Sequence, residues 1–149
     1  MKKVVKFKKL NPDAIIPDDA HEGDAGMDLY SIQDDVIEPL SWKVIPTGLA
    51  CALPNGTNGE VRSKSGIAAK NGVFVLNSPG TIDENYRGEL GVILYNLNTK
   101  EPFVIKKGQK IAQYVINQIE YVDTIEVETL DETSRGEGGF GSSGLGRNK

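Results

Sequence analysis

The chain has 149 residues, a formal net charge of −4, a single cysteine (Cys51) and a single histidine (His21). That length is one domain's worth and buries a proper core without disulfides, while one cysteine and one histidine exclude an intrachain disulfide, a cysteine-rich zinc site and a histidine-cluster metal site. The negative balance argues against a general nucleic-acid binder, which needs an excess of clustered Lys and Arg, and leaves room for a small anionic ligand drawn in by local cations.

Residues 1–9 are basic but lack the apolar run of a signal peptide, and no later run is long enough to cross a bilayer. The expectation is a soluble, cytoplasmic protein in a reducing setting, with no membrane contact. Residues 3–10 alternate in places and predict a first strand, ended by Asn11-Pro12-Asp13. A polar stretch over 18–26 leads through Ala25-Gly26-Met27-Asp28 into a second strand. Taken alone, Asp28 reads as a strand-edge or turn residue.

Residues 41–53 predict two short strands broken at Pro46-Thr47-Gly48, with Leu49, Cys51 and Leu53 on one face, and Pro54-Asn55-Gly56 closes them as a turn. Arg62-Ser63-Lys64-Ser65-Gly66 then sets two cations and two hydroxyls before the one helix candidate, 67–72, with Ser65 as N-cap and Gly72 as stop. Hydroxyls and backbone N–H groups beside Lys64 suit a phosphate; an ordinary capped helix accounts for them equally well. Residues 73–76 predict a short buried strand.

The segment GTIDENYRGELG (80–91), followed by the apolar run 92–95, predicts a β-hairpin arm: two strands joined by a tight polar connection that carries Asp83, Tyr86 and Arg87. Asp83, Glu84 and Asn85 are also ordinary turn formers, so this stretch does not decide its own role. Residues 102–105 and 110–119 predict further strands. Within the latter, 111–116 is apolar on both faces except for Gln113, which predicts a strand buried on both sides and a partner for Gln113. Many short strands with Gly and Pro turns indicate an all-β barrel or sandwich.

The character changes after about Leu130, which divides the chain into a β body over 1–130 and an arm over 131–149. The arm holds only Phe140 and Leu145 as large apolar groups and cannot build a core. Arg135 and Phe140 stand among glycines in RGEGGFGSSG (135–144), which favours a lid over the alternative of an inert tail: backbone N–H groups and the Arg135 fork for phosphate oxygens, Phe140 over a base. It is not a P-loop, since the Lys-Ser/Thr ending and the following helix are missing.

AGMDL (25–29), RSKSG (62–66), GTIDENYRGELG (80–91), GQKIAQ (108–113) and RGEGGFGSSG (135–144) stand in this order. Together they resemble the motifs of the homotrimeric deoxyuridine triphosphatases (dUTP diphosphatases), and the resemblance spans nearly the whole chain. It implies a distorted antiparallel β-barrel of the jelly-roll kind, three copies with active sites at subunit interfaces, and an arm closing a site on its neighbours. It also implies the Mg²⁺-assisted reaction of dUTP with water to give dUMP and pyrophosphate, which limits uracil incorporation into DNA and supplies dUMP for thymidylate synthesis.

By position, the resemblance makes Asp83 the carboxylate that orients and deprotonates the attacking water, and Tyr86 the ring against the deoxyribose. Asn77, Gly80, Thr81 and Ile82 fall on the uracil-reading segment, and Gly91 is a further substrate-binding position. Lys64, Ser65, Gly66 and Gln113 match phosphate contacts, Arg135, Gly141 and Ser142 the arm's phosphate clamp, and Phe140 the base cover. Asp28 would act on the metal through water. The family pattern has arginine where this chain has Lys64 and Lys110; lysine keeps the charge and loses the planar fork, for which Arg62 is a partial substitute by expectation. Rival readings are a dCTP deaminase of the same superfamily and a nucleotide-responsive regulator that binds a partner protein. The residues leave the second open as an additional role.

Overall fold

A computed structural model describes residues 3–18, 21–142 and 146. In chain order the elements are β1 (Lys6–Lys9), β2 (Gly26–Tyr30), β3 (Asp35–Ile37), β4 (Ser41–Pro46), β5 (Leu49–Ala52), β6 (Thr57–Arg62), α1 (Ser65–Asn71), β7 (Val73–Val75), β8 (Gly80–Ile82), β9 (Gly91–Asn96), β10 (Phe103–Ile105) and β11 (Lys110–Gln118). The fold is all-β and jelly-roll-like with one short helix. Its strands form separate sheets rather than a closed barrel: β2-β11-β6-β8, β4-β9-β7, and the pairs β1-β5 and β10-β3. No helix among the described residues is long and apolar enough to cross a membrane.

Alternation decides which face each strand buries. In β9, Val92, Leu94 and Asn96 point inward, and in β6 Thr57, Gly59 and Val61 do. Leu29, Ile37, Ile45, Leu49, Leu90 and Ile105 meet them in one core. Gly59 is required by close approach, because a Cβ there would lie 2.0 Å from the Tyr114 hydroxyl. Tyr114 itself is fully buried, with Cys51 Sγ 3.4 Å from its oxygen, and burial pushes its proton affinity far above that of a free phenol.

Several local expectations change. The strands flanking residues 83–90 do not pair with each other: β8 pairs with β6, whereas β9 lies between β4 and β7. The hairpin partner of β9 is β7, and residues 76–90 are a long excursion between them, held by core burial of Leu90 and by the Leu90 N–H donating to the Leu49 carbonyl at 2.7 Å. The helix starts earlier than 67, at Ser65, with Lys64 rather than Ser65 at the N-cap and no side-chain cap. The hydroxyl with a local task is Ser63, whose Oγ accepts the Val75 N–H at 2.9 Å and ties β7 to the helix entry. Gly72 does end the helix, in the left-handed region at φ 65°.

In β11, Ile111 and Ala112 are both buried because the register slips between Lys110 and Ala112. Gln113 is half-buried, and its side-chain amide has no hydrogen-bond partner among the described residues. The strand expected over 102–105 is present as β10, whereas its partner β3 carries too few residues for its period to be read in advance. Residues 120–137 are exposed and hold no strand or helix.

Candidate active site

The loop from 83 to 90 carries three carboxylates, Asp83, Glu84 and Glu89. Two of them hold backbone. Glu84 Oε2 accepts the Gly56 N–H at 2.7 Å, and Glu89 Oε1 accepts the Gly48 N–H at 2.7 Å. The Glu84 carboxylate beside the Tyr121 hydroxyl raises that phenol's affinity for its proton. Arg87 folds back to donate to the Glu84 and Tyr86 carbonyls, and the Thr47 hydroxyl donates to the Leu90 carbonyl at 2.6 Å inside the core. Among the described residues, the Asp83 carboxylate has no hydrogen-bond or ion-pair partner, and it is exposed.

Asp83 lines two clefts. One, of about 360 Å³, is formed with Val44, Thr81, Ile82, Tyr86, Glu89, Gly91 and Ile93; that volume is in the range of small-ligand sites. Gly91 permits the tight fit of β9 on β4, since a Cβ there would stand 2.8 Å from Val44. Tyr86 forms one wall, its ring over Gly88 and its hydroxyl donating to the Glu89 carbonyl at 3.1 Å. The second cleft, of about 390 Å³, adds Asn58, Glu84, Asn85, Ile119 and Tyr121. Asn77 packs beside Gly80, whose missing Cβ leaves 3.0 Å to the Asn77 amide.

A second group gathers on the outer face of the β2-β11-β6-β8 sheet. Asp28, Gln113 and Arg62 stand abreast on neighbouring strands and therefore point to one side. Asp28 is buried in the middle of β2, the edge strand of that sheet. Lys64 Nζ meets its Oδ1 at 2.5 Å and Lys110 Nζ its Oδ2 at 2.6 Å. Burial alone would raise the Asp28 pKa, but the hydrogen bonds and charges of Lys110 and Lys64 outweigh it and hold the carboxyl below the usual range. Asp28 in turn raises the pKa of Lys110. Arg62 donates to Glu60 through both Nε, at 2.8 Å, and a terminal nitrogen.

The two groups are well separated within one chain. Asp83 stands one residue beyond Ile82, level with Asn58, while Asp28 is level with Arg62; three strand spacings and about four residues of rise put them about 20 Å apart. The arm residues join neither group: Arg135 Nε donates to the Gly138 carbonyl at 2.7 Å, Ser142 N–H bonds to the Gly139 carbonyl, and Phe140 is fully exposed. Ser143 and Gly144 lie outside the described residues. No cluster of three or more His, Cys, Asp or Glu side chains that could hold a metal ion exists among the described residues.

Residues 12–144 match the dUTPase family. This chain belongs to the dUTPase family. Among curated dUTPases, the deoxyuridine 5'-triphosphate nucleotidohydrolase of Clostridium kluyveri is 55% identical over 137 residues, covering 92% of this chain and 95% of that protein. That of Clostridioides difficile is 54% identical over 141 residues, covering 95% and 98%. The Staphylococcus bacteriophage 80alpha dUTPase with dUPNHPP superposes with a TM-score of 0.89 at 32% identity, over 97% of this chain and 100% of that one. A mutant dUTPase from phage phi11 of S. aureus, described as revealing the coordination of a structural Mg(II) ion, has a TM-score of 0.80 at 27% identity, over 87% of this chain and 99% of that one.

Set against the dUTPase motifs, the fold brings Asp28, Lys64 and Gln113 to one surface and Thr81, Ile82, Asp83, Tyr86 and Gly91 to another. Sequence reasoning missed Val44 and Ile93, which line the Asp83 cleft, and the holding roles of Glu84 and Glu89. Val44 comes from β4, whose pairing with β9 carries no signal in a single sequence.

Proposed function

We propose that this chain hydrolyses dUTP to dUMP and pyrophosphate, with Asp83 as the general base that takes a proton from the water attacking the α-phosphorus. The observation that carries this reading is that, of the three loop carboxylates, Asp83 is the one left unbonded, at the mouth of a cleft of ligand size. A positioned base of this kind contributes about 10²–10⁴-fold. The remainder comes from cations and backbone donors that hold the triphosphate in line with the water.

In this reading uracil lies against Asn77, Gly80, Thr81, Ile82 and Gly91, the deoxyribose against Tyr86, and the phosphates against Lys64, Ser65, Gly66 and Gln113. Those two sets belong to different copies. The separation of about 20 Å estimated from strand registers supports this, because a base must reach the same substrate that the phosphate contacts hold. A homotrimer with sites at its interfaces supplies both. The body over 1–130 carries these residues, and the arm over 131–149 closes a neighbour's site with Arg135, Gly141 and Ser142 on phosphate and Phe140 over the base. Mg²⁺ enters on the triphosphate as part of the substrate, a hard cation suited to oxygen ligands.

Pyrophosphate release from dUTP is measured beside ammonia release from dCTP. Pyrophosphate without ammonia is the expected result; ammonia from dCTP would make the chain a deaminase, and neither product with nucleotide still bound would make it a regulator.

A further inference from the structure

We propose that Asn58 is a further catalytic residue, one that donates a hydrogen bond to the attacking water beside Asp83. This rests on the functional reading above. Asn58 and Asp83 both line the cleft of about 390 Å³. β6 and β8 pair through Gly59 and Ile82, so one position further along Asn58 and Asp83 stand level, on the outer face of the sheet. Side chains level on adjacent antiparallel strands have Cβ atoms about 5 Å apart, which leaves room for one water to touch both.

Asn58 is also held from its other side. On β11, Asn117 pairs with Asn58, which makes Asn117, Asn58 and Asp83 one polar row across three strands. The Oδ1 of Asn58 and the Nδ2 of Asn117 are sealed from solvent, and neither has a hydrogen-bond partner among the described residues. Buried polar atoms are nearly always bonded, and these two are an acceptor and a donor on residues directly opposite each other. A bridging water accepts from Asn117 Nδ2 and donates to Asn58 Oδ1. With its oxygen so occupied, Asn58 presents its Nδ2, the donor end of the amide, to the cleft.

That donor supplies what Asp83 lacks. A carboxylate only accepts, so it takes one hydrogen of the water and leaves the molecule free to swing about that bond. An N–H donated to the water oxygen removes the swing and leaves one lone pair for the α-phosphorus. As that lone pair bonds to phosphorus, the proton passes to Asp83 and the bond to the bridging oxygen breaks, its electron pair leaving with pyrophosphate. The amide neither gains nor loses a proton. The other polar groups of the cleft are committed or displaced: Glu84 holds the Gly56 N–H, Tyr121 lies against Glu84, Asn85 is exposed on the turn, and Thr81 is level with Glu60 instead.

The test is dUTP turnover as a function of pH, together with calorimetric binding of a non-hydrolysable imido analogue of dUTP, on the full chain. Asn58→Ala is expected to lower kcat by about ten- to a hundredfold, the cost of a misplaced nucleophile, with analogue affinity unchanged. Adding it to Asp83→Asn should slow that variant no further, because the two residues act on one water. Asn58→Asp keeps the shape, removes the donor and sets a like charge beside Asp83, so it is expected to lower kcat and to move its acid limb to higher pH. Wild-type kcat in Asn58→Ala, a loss that appears in analogue affinity rather than in kcat, or an unmoved acid limb in Asn58→Asp overturns the proposal. Asn58→Asp alone carries the test if Asn58→Ala does not fold. If the wild-type chain releases no pyrophosphate, or Asp83→Asn keeps its kcat, the functional reading is at fault instead.

Discussion

Glu84 accepts the Gly56 backbone N–H at 2.7 Å while the carboxylate of its chain neighbour Asp83 has no bond among the described residues. Adjacent carboxylates thereby divide between holding the loop and facing the cleft. Losing the acceptor at Glu84 strands a part-buried donor, which costs about 1–3 kcal/mol.

Asp83→Asn is expected to remove turnover, by about 10²-fold or more, with dUTP binding and Tm unchanged. Glu84→Ala is expected to behave in the opposite sense, lowering Tm first. Steady-state kinetics and thermal melts on the two variants check this; a drop in Tm for Asp83→Asn without loss of kcat would reverse the roles assigned here.

Truncation before residue 131 should leave a folded assembly that is nearly inactive. The arm's described hydrogen bonds are local to itself, so its removal takes nothing from the core. Ordering it costs about 1–2 kcal/mol per residue in backbone entropy, which substrate contacts must offset. Light scattering together with kcat/KM tests this, and a monomer or aggregate after truncation contradicts it.

Acid stability should depend on Asp28. Its folded-state pKa lies below the ordinary value near 3.8 because Lys110 and Lys64 outweigh the opposing effect of burial. The unfolded chain therefore binds a proton that the folded chain does not, so the contribution is complete above that value and is lost as pH falls through the folded-state pKa. Asp35, lowered chiefly by Lys43, adds to the same limb. Asp28→Asn should lower Tm at neutral pH and narrow the gap to wild type below about pH 4; melts that stay parallel down to pH 2 would count against the pairing.

Arg62→Ala is expected to raise KM for dUTP several-fold with little change in kcat. Arg62 stands level with Gln113 on the same sheet face, but its guanidinium is bound to Glu60. Glu60→Gln, which releases it, should lower KM. If both variants keep the wild-type KM, Arg62 takes no part in holding phosphate.

Much of the strand content and the motif residues was legible from short-range pattern. Period-two alternation, the breaks at Pro46-Thr47-Gly48 and Pro54-Asn55-Gly56, and the Gly72 helix stop are local events, and a single sequence records local events directly. The order of the five motifs carried the family in the same way. Pairing is different. Whether β8 met β9 or β6 depended on the burial of Leu90 and on its backbone bond to Leu49, far away in the chain. The separate tasks of Asp83, Glu84 and Glu89 rested on whether a distant backbone N–H, of Gly56 or Gly48, came within reach. Chemically similar carboxylates on one loop look alike in sequence, because what distinguishes them is the partner that the fold brings to each, and only the tertiary structure decides that.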